Sequence, residues 1–449
     1  MGGNCVSMRR SAVSISAPTP LAPTKPVKTT SWDGAARQSV PYQDRHTPKG
    51  TSVAATLRFV RVLVSSVPGL GHVNPLRPLA RHLQAMGHDV VWGVAPDVCD
   101  LLRAEGFVAR PVGPPMTTWH EQLAARTRGR PGEGIQRNRL TYWLAPRLWG
   151  EVGASLMIDE LLRVARDVQP DVVLFESRTY AAAVVARVVD ALPVYRSVMM
   201  LTNPDIEQLV SEAVTPLWCE LGLDPPTYGG IFDGVALSGH PATLDDASVF
   251  PGANMHRVRP VPGGELSSEL QSWVHDQRGR PLIYATLGTV FNSSVELFRS
   301  IIDALLELDV SLLLTVGPTG TPASLERTGA HLRVEHYVEQ DALLPHCAAA
   351  ISHGGSGTML GALARGVPHV MLPQGADQFR NAAVCESYGF GTSLLDDSPS
   401  PTLIGTALSE ILADPTFART AQALGDEMAH GLTLDATVSV IEAARRQSR

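Results

Sequence analysis

Phe59-Val60-Arg61-Val62-Leu63-Val64-Ser65-Ser66-Val67 is an apolar, valine-rich run, and Pro68-Gly69-Leu70-Gly71-His72-Val73-Asn74-Pro75 follows it directly. The first piece reads as a buried β-strand and the second as a glycine-loosened loop. Pro75 suits the first turn of a helix. Leu76, Leu79, Ala80, Leu83 and Met86 then recur at helical spacing, Gly87 ends the helix, and His88–Val94 is the next strand. Strand, loop, helix and strand in this order make a βαβ unit, whose strands lie parallel in one sheet.

The pattern continues outward. Val172–Phe175 and Pro193–Met199 read as strands, with a helix over Tyr180–Ala191 between them. A Pro/Gly-rich stretch, Pro251–Gly264, separates a second series. There Pro281–Leu287, Val310–Val316, His331–Tyr337, Ala348–Ser352 and Pro368–Leu372 are strands, and Val295–Leu308, Thr358–Arg365 and Ala376–Ser387 are helices. The expected fold class is α/β, with two Rossmann-like halves and ligands at the carboxyl ends of the strands.

Composition bounds the function. The 449 residues carry 37 Lys+Arg against 44 Asp+Glu, a net charge of −7, which disfavours a nucleic-acid partner. No apolar run reaches the ~18 residues of a membrane span. Five scattered cysteines, an odd number without a CxxC, point to a reducing, cytoplasmic setting and away from a structural zinc site. Residues 1–52 hold 7 Ser, 6 Thr, 6 Pro and 7 Lys+Arg but only 2 acids, so the leader, 1–56, is expected to be disordered. Its composition also fits a transit peptide.

Three loops carry candidate chemistry. The first begins as GxG, but Asn74 occupies the third glycine position and no acid closes the second strand, so the dinucleotide fingerprint fails. It offers His72, a candidate general base, and Glu176, closing a neighbouring strand, is the acid placed to orient it. A capping histidine and a solvated glutamate are the structural alternatives. The second loop is Ser352-His353-Gly354-Gly355-Ser356-Gly357-Thr358, between a strand and a helix. Backbone N–H groups, two hydroxyls and an imidazole at a helix start suit a diphosphate. No P-loop lysine follows, which disfavours NTP hydrolysis. The third, Pro373-Gln374-Gly375-Ala376-Asp377-Gln378, pairs polar groups that either cap a helix or bind sugar hydroxyls.

Taken together, GHVNP at 71–75, ATLGT at 285–289, the run Tyr337–Pro345, HGGSGT at 353–358 and GADQFRNA at 375–382 resemble the GT-B glycosyltransferases of family 1, in particular the bacterial branch that decorates natural products. The resemblance covers residues 58–446. It implies a GT-B fold: an acceptor-binding half (57–255), a nucleotide-sugar-binding half (256–430) and a C-terminal helix (431–449) that crosses back to the first half. It implies that His72 is the base and Glu176 its acidic partner, where the family usually has Asp. It implies that His353 binds the diphosphate and that Asp377 and Gln378 recognise the sugar. Thr289, Tyr337, Val338, Gly355, Ser356, Gly357 and Thr358 complete the expected donor set; relatives often place Trp at the position of Tyr337.

The expected reaction is an inverting, metal-independent transfer of a sugar from an NDP-sugar co-substrate to a hydroxyl of a hydrophobic small molecule, with no other cofactor. Residues 114–150 and 199–218 read as long irregular stretches; any single one of their Met116, Trp119, Trp143, Trp149, Met199, Met200 and Trp218 reads as core, while as a set they suit the lining for a polyketide, macrolide or similar acceptor. Gly361 falls eight residues after His353, where many UDP-sugar users of the family carry a ribose-binding Glu, so dTDP-sugars are expected to serve at least as well as UDP-sugars. The expected assembly is a monomer or homodimer. Two rival readings are a non-catalytic activator of another glycosyltransferase and an NDP-sugar epimerase of the same fold.

Overall fold

The computed structural model describes residues 60–448, apart from 128–131, 133–134, 136–138, 202, 262, 278, 289–294, 318–319, 321–324, 326–328 and 397. The expected leader, 1–56, lies outside the described residues.

The first sheet has seven parallel strands: β1 (Arg61–Ser65), β2 (Asp89–Val94), β3 (Val108–Pro111), β4 (Val172–Glu176), β5 (Leu192–Arg196), β6 (Val235–Ser238) and β7 (Asn254–Arg257). Their spatial order is β3-β2-β1-β4-β5-β6-β7. The second sheet has six: β8 (Leu282–Thr286), β9 (Ser311–Thr315), β10 (Leu332–Glu335), β11 (Ala349–Ser352), β12 (His369–Met371) and β13 (Gly391–Ser393). Their order is β10-β9-β8-β11-β12-β13. In each sheet the direction of winding reverses once, between β1 and β4 and between β8 and β11. Ligands of doubly wound sheets bind outside such switch points. The carboxyl ends of β1, β4, β8 and β11, which lead to or hold His72, Glu176, Gly288 and His353, are the four that flank them.

Burial explains the strands. All five residues of β4, β8 and β9 are buried, as expected of parallel strands covered by helices on both faces. The first amphipathic helix, Arg77–Ala85, buries Leu79, Ala80 and Leu83, with a 3₁₀ turn, Asn74–Leu76, ahead of it. The last helix, Leu434–Gln447, packs on the first half: Val438 and Ile441 join the core of β1, β2 and β4, and His82 Nε2 meets Asp435 Oδ1 at 2.8 Å.

Two expectations are corrected. The stretch 199–218 is not irregular, because it contains the helix Pro204–Glu220. Asn203 caps it by accepting from Asp205 N at 2.9 Å, and Pro204 takes the first turn; the internal Pro216 hid its periodicity. Within 114–150 lie the helices Met116–Thr127 and Leu140–Ala145 and the start of a nine-residue π-helix, Pro146–Ala154. Wider turns of this type cluster at functional sites. No helix is long and apolar enough to cross a membrane, among the described residues.

Candidate active site

The dyad forms where β1 and β4 end side by side, with Ser65 and Phe175 in register. After β1, Gly69 adopts φ +125°, open to glycine but strained for other residues, and starts the turn Leu70–Val73 that carries His72. His72 Nδ1 lies 2.9 Å from Glu176 Oε2. Glu176 is fully buried. Its Oε1 accepts from Val67 N at 3.2 Å and Thr179 Oγ1 at 2.6 Å, and its Oε2 from Arg178 N at 2.9 Å. Burial raises its pKa, but the His72 charge and these hydrogen bonds outweigh burial and hold it below the ordinary range. An ionised Glu176 accepts a hydrogen bond from Nδ1–H of His72, which leaves Nε2 free to accept a proton. The extra methylene of Glu176 over the Asp that the resemblance implies is accommodated, since the contact closes at 2.9 Å.

Trp149, on the π-helix, lies with its ring centroid 5.7 Å from that of His72, tilted by 47°. It meets Trp119 edge-to-face at 6.1 Å. The expected aromatic and Met lining divides here. Trp119, Met200 and Trp218 are at most 2% exposed and belong to the core, so they are withdrawn from the lining. Met116, Trp143, Trp149 and Met199 are half-buried.

Sequence reasoning missed Arg178. Its backbone supports Glu176, while its buried guanidinium pairs with Glu207 of Pro204–Glu220, Nη1 to Oε1 at 3.0 Å. Tyr180 also donates to Glu207. The turn holding Glu176 is thereby tied to a helix of the first half. No local pattern announces a pair 29 residues apart.

On the second half, β8 and β11 end level, Thr286 opposite Ser352. The half-buried ring of His353 is clasped by two glycines. A β-carbon on Gly355 would stand 2.5 Å from Nε2, and one on Gly288 2.7 Å from the same atom. Burial pushes the His353 pKa down to about 4, with Asp377 opposing, so the free imidazole is neutral at neutral pH. The helix Ser356–Leu363 starts directly after this loop.

The remaining donor residues fall into distinct environments. Ser356 Oγ donates to Asp377 Oδ2 at 2.8 Å, so its proton serves that carboxylate. Asn381 Nδ2 ties Gly354 O (2.8 Å) to Asp377 Oδ2 (3.1 Å). Gln378 is buried, its Oε1 accepting from Gln374 N at 2.7 Å and Gly375 N at 2.9 Å. Gly357 is exposed and Thr358 half-buried. Tyr337 is 70% exposed, whereas the Val338 side chain lies in the core, which limits any donor contact of Val338 to its backbone. Thr289 lies outside the described residues. Among those described, no three His, Cys, Asp or Glu side chains stand close enough to share a metal ion.

The two halves touch through the β5–helix loop. Met200 packs among Met359, Leu363 and Met371, and Arg380 Nη1 donates to Met200 O at 3.1 Å.

Comparison with known proteins agrees with this architecture. A family profile described as erythromycin biosynthesis protein CIII-like, C-terminal domain, matches residues 299–440. The chain is 30% identical over 407 residues to 10-deoxymethynolide desosaminyltransferase of Streptomyces venezuelae, covering 82% of this chain and 93% of that protein. It is 27% identical over 434 residues to TDP-daunosamine transferase DnrS of Streptomyces peucetius, covering 85% and 96%. Among solved structures, Streptomyces sp. SF2575 glycosyltransferase SsfS6 complexed with thymidine diphosphate superposes with a TM-score of 0.71 at 24% identity, over 86% of this chain and 100% of that one. Spinosyn rhamnosyltransferase SpnG with thymidine diphosphate gives 0.71 at 23%, over 85% and 100%.

Proposed function

The chain belongs to the GT-B glycosyltransferases of family 1, in the branch that includes antibiotic sugar transferases, and from that premise we propose that it moves a sugar from an NDP-sugar, dTDP- or UDP-linked, to a hydroxyl of a hydrophobic small-molecule aglycone, with inversion and without a metal. The observation that carries this reading is the 2.9 Å contact between His72 and the fully buried Glu176, beneath Trp149.

The steps follow from the groups present. The acceptor hydroxyl gives its proton to His72 Nε2, and Glu176 stabilises the imidazolium that forms. The acceptor oxygen bonds to the anomeric carbon as that carbon's bond to the diphosphate oxygen breaks. One displacement from the opposite face inverts the configuration, and the nucleoside diphosphate leaves with the electron pair. His353 and the N–H groups of the first turn of Ser356–Leu363, which a helix start leaves without intrahelical partners, would stabilise the departing charge in place of a divalent cation. Asp377 and Gln378 would meet the sugar. Trp149, with Met116, Trp143 and Met199, supports a bulky apolar acceptor.

A cytoplasmic setting and a monomer or homodimer complete the reading; the scattered, odd-numbered cysteines support the first. The test is a donor-by-acceptor matrix read by mass spectrometry. Sugar-shifted masses with polyketide- or macrolide-type aglycones are expected. Preference for hydrophilic sugar or peptide acceptors overturns the acceptor class, and epimerised sugar from donor alone overturns transfer.

A further inference from the structure

Arg196 closes β5 directly beside the catalytic strand, in register with Glu176 on one side and Leu237 of β6 on the other. Its guanidinium is half-buried, and its Nη1 is sealed from solvent without a hydrogen-bond partner. No carboxylate pairs with it among the described residues. The acid that acts on neighbouring His240 is already taken: Asp245 receives Arg257 Nη1 at 2.9 Å, Ser238 Oγ at 3.0 Å and Leu201 N at 2.6 Å. Burial lowers the Arg196 pKa only to about 10, which leaves the group charged at neutral pH.

The surroundings are shaped for this side chain. Gly239, just past β6, lies flat against it: a β-carbon there would stand 2.8 Å from Nη2 and 3.4 Å from Nη1. His240 follows, buried, with Nε2 likewise sealed and unpartnered. His240 senses both Arg196 of the first half and Asp377 of the donor loop. Among the described residues, Nη1 of a guanidinium and Nε2 of an imidazole whose Nδ1 meets Ser238 Oγ at 3.4 Å are therefore both left without partners at the carboxyl edge of the first sheet, where the donor loop of the second half comes near. Leaving a buried cation unpaired costs the ligand-free protein stability, and a bound anion recovers it.

We propose that Arg196, seated on Gly239 and beside His240, receives an anionic oxygen of a bound substrate. The source is either the diphosphate of the nucleotide sugar or an acidic group on the acceptor; the proposal rests on the nucleotide-sugar reading above. Arg is suited to the task because its planar fork bonds phosphate or carboxylate oxygens in pairs, which Lys cannot do.

The experiment uses the full-length protein and its Arg196→Met and Arg196→Lys variants. Calorimetric titration with dTDP, and with thymidine as a phosphate-free control, is combined with melting temperatures of the free proteins. The ligand-free Arg196→Met variant should melt no lower than wild type, because it loses an unpaired charge. If the diphosphate is the source, Arg196→Met raises the Kd for dTDP at least tenfold, Arg196→Lys raises it less, and thymidine binding is unchanged. If the acceptor is the source, dTDP affinity holds and the KM for the acceptor found in the screen rises at least tenfold. Arg196→Met with dTDP affinity and acceptor KM both within twofold of wild type overturns the proposal, as does a lower melting temperature with both unchanged. Wild-type protein that binds neither dTDP nor UDP overturns the nucleotide-sugar reading itself.

Discussion

Gly288 stands edge-on to the imidazole of His353, so that a β-carbon at 288 would lie 2.6 Å from Cε1 and 2.7 Å from Nε2. Gly288 also adopts φ +77°, a conformation that costs other residues ~1–2 kcal/mol. Gly288→Ala should therefore displace the ring from the position where a diphosphate would meet it. The Kd for dTDP should rise at least tenfold while acceptor KM stays within twofold. Wild-type dTDP affinity in a folded Gly288→Ala protein would show that the ring position is immaterial.

The dyad predicts a division of labour. His72→Ala should lose ~10²-fold or more in kcat, the usual contribution of a general base. Glu176→Gln removes the charge that stabilises the imidazolium, so it should lower kcat and shift the acid limb of the pH–rate profile. Purified His72→Ala turning over at the wild-type rate on an assigned acceptor rejects the assignment.

Acid lability should come from buried histidines. Burial lowers His353 and His240 to about 4 and His369 to about 3, against an ordinary 6.5. Above 6.5 these rings are neutral in both folded and unfolded chains. Below 6.5 the unfolded chain binds protons that the folded one refuses, so stability falls as pH drops toward 4. Glu176, held below its ordinary value, adds a further loss at lower pH. Melting temperature should decline between pH 6.5 and 4, and more gently in His353→Gln. An identical slope in that variant would mean His353 is not the neutral, buried group described here.

The donor preference is expected to turn on Gly361. A β-carbon there would stand 2.4 Å from Gln340 Nε2, so the glycine also lets the helix Ser356–Leu363 pack against Gln340. Because the contact is the end of a flexible side chain, Gly361→Glu should be accommodated. Without that carboxylate, a UDP donor forgoes a charge-assisted hydrogen bond worth ~1.5–3 kcal/mol, which a dTDP donor, lacking the 2′-hydroxyl, does not need. Competition between dTDP-glucose and UDP-glucose should show kcat/KM for dTDP at least equal, with UDP use rising in Gly361→Glu. A tenfold preference for UDP contradicts this.

Arg178 and Glu207 should be intolerant of single changes. Removing one partner strands the other as a buried charge, at ~3–5 kcal/mol. Urea denaturation of Glu207→Gln should show a loss of that order, together with a fall in kcat as the turn holding Glu176 loosens. A loss below ~1 kcal/mol would place the pair in solvent.

Much of this protein is legible in one dimension. The alternation of valine-rich runs with amphipathic helices, punctuated by Gly and Pro, is a local property, so it announces two Rossmann-like halves and puts His72, Glu176 and His353 at strand ends. Short elements are less visible: Asn254–Arg257 carries no apolar run, and Val235–Ser238 and Gly391–Ser393 are too brief to show a period. What only tertiary structure decides is the pairing of groups distant in sequence. His72 and Glu176 are 104 residues apart and meet because β1 and β4 are neighbours. Trp149 reaches His72 because a π-helix turns it there, while Trp119, of the same residue type, is swallowed by the core. Arg178 finds Glu207, whereas Arg196, one strand over, finds no acid among the described residues. Hydrophobic period depends on each residue's own neighbours along the chain. Whether a charge is satisfied depends on every chain segment that packs around it, and only the folded protein brings those together.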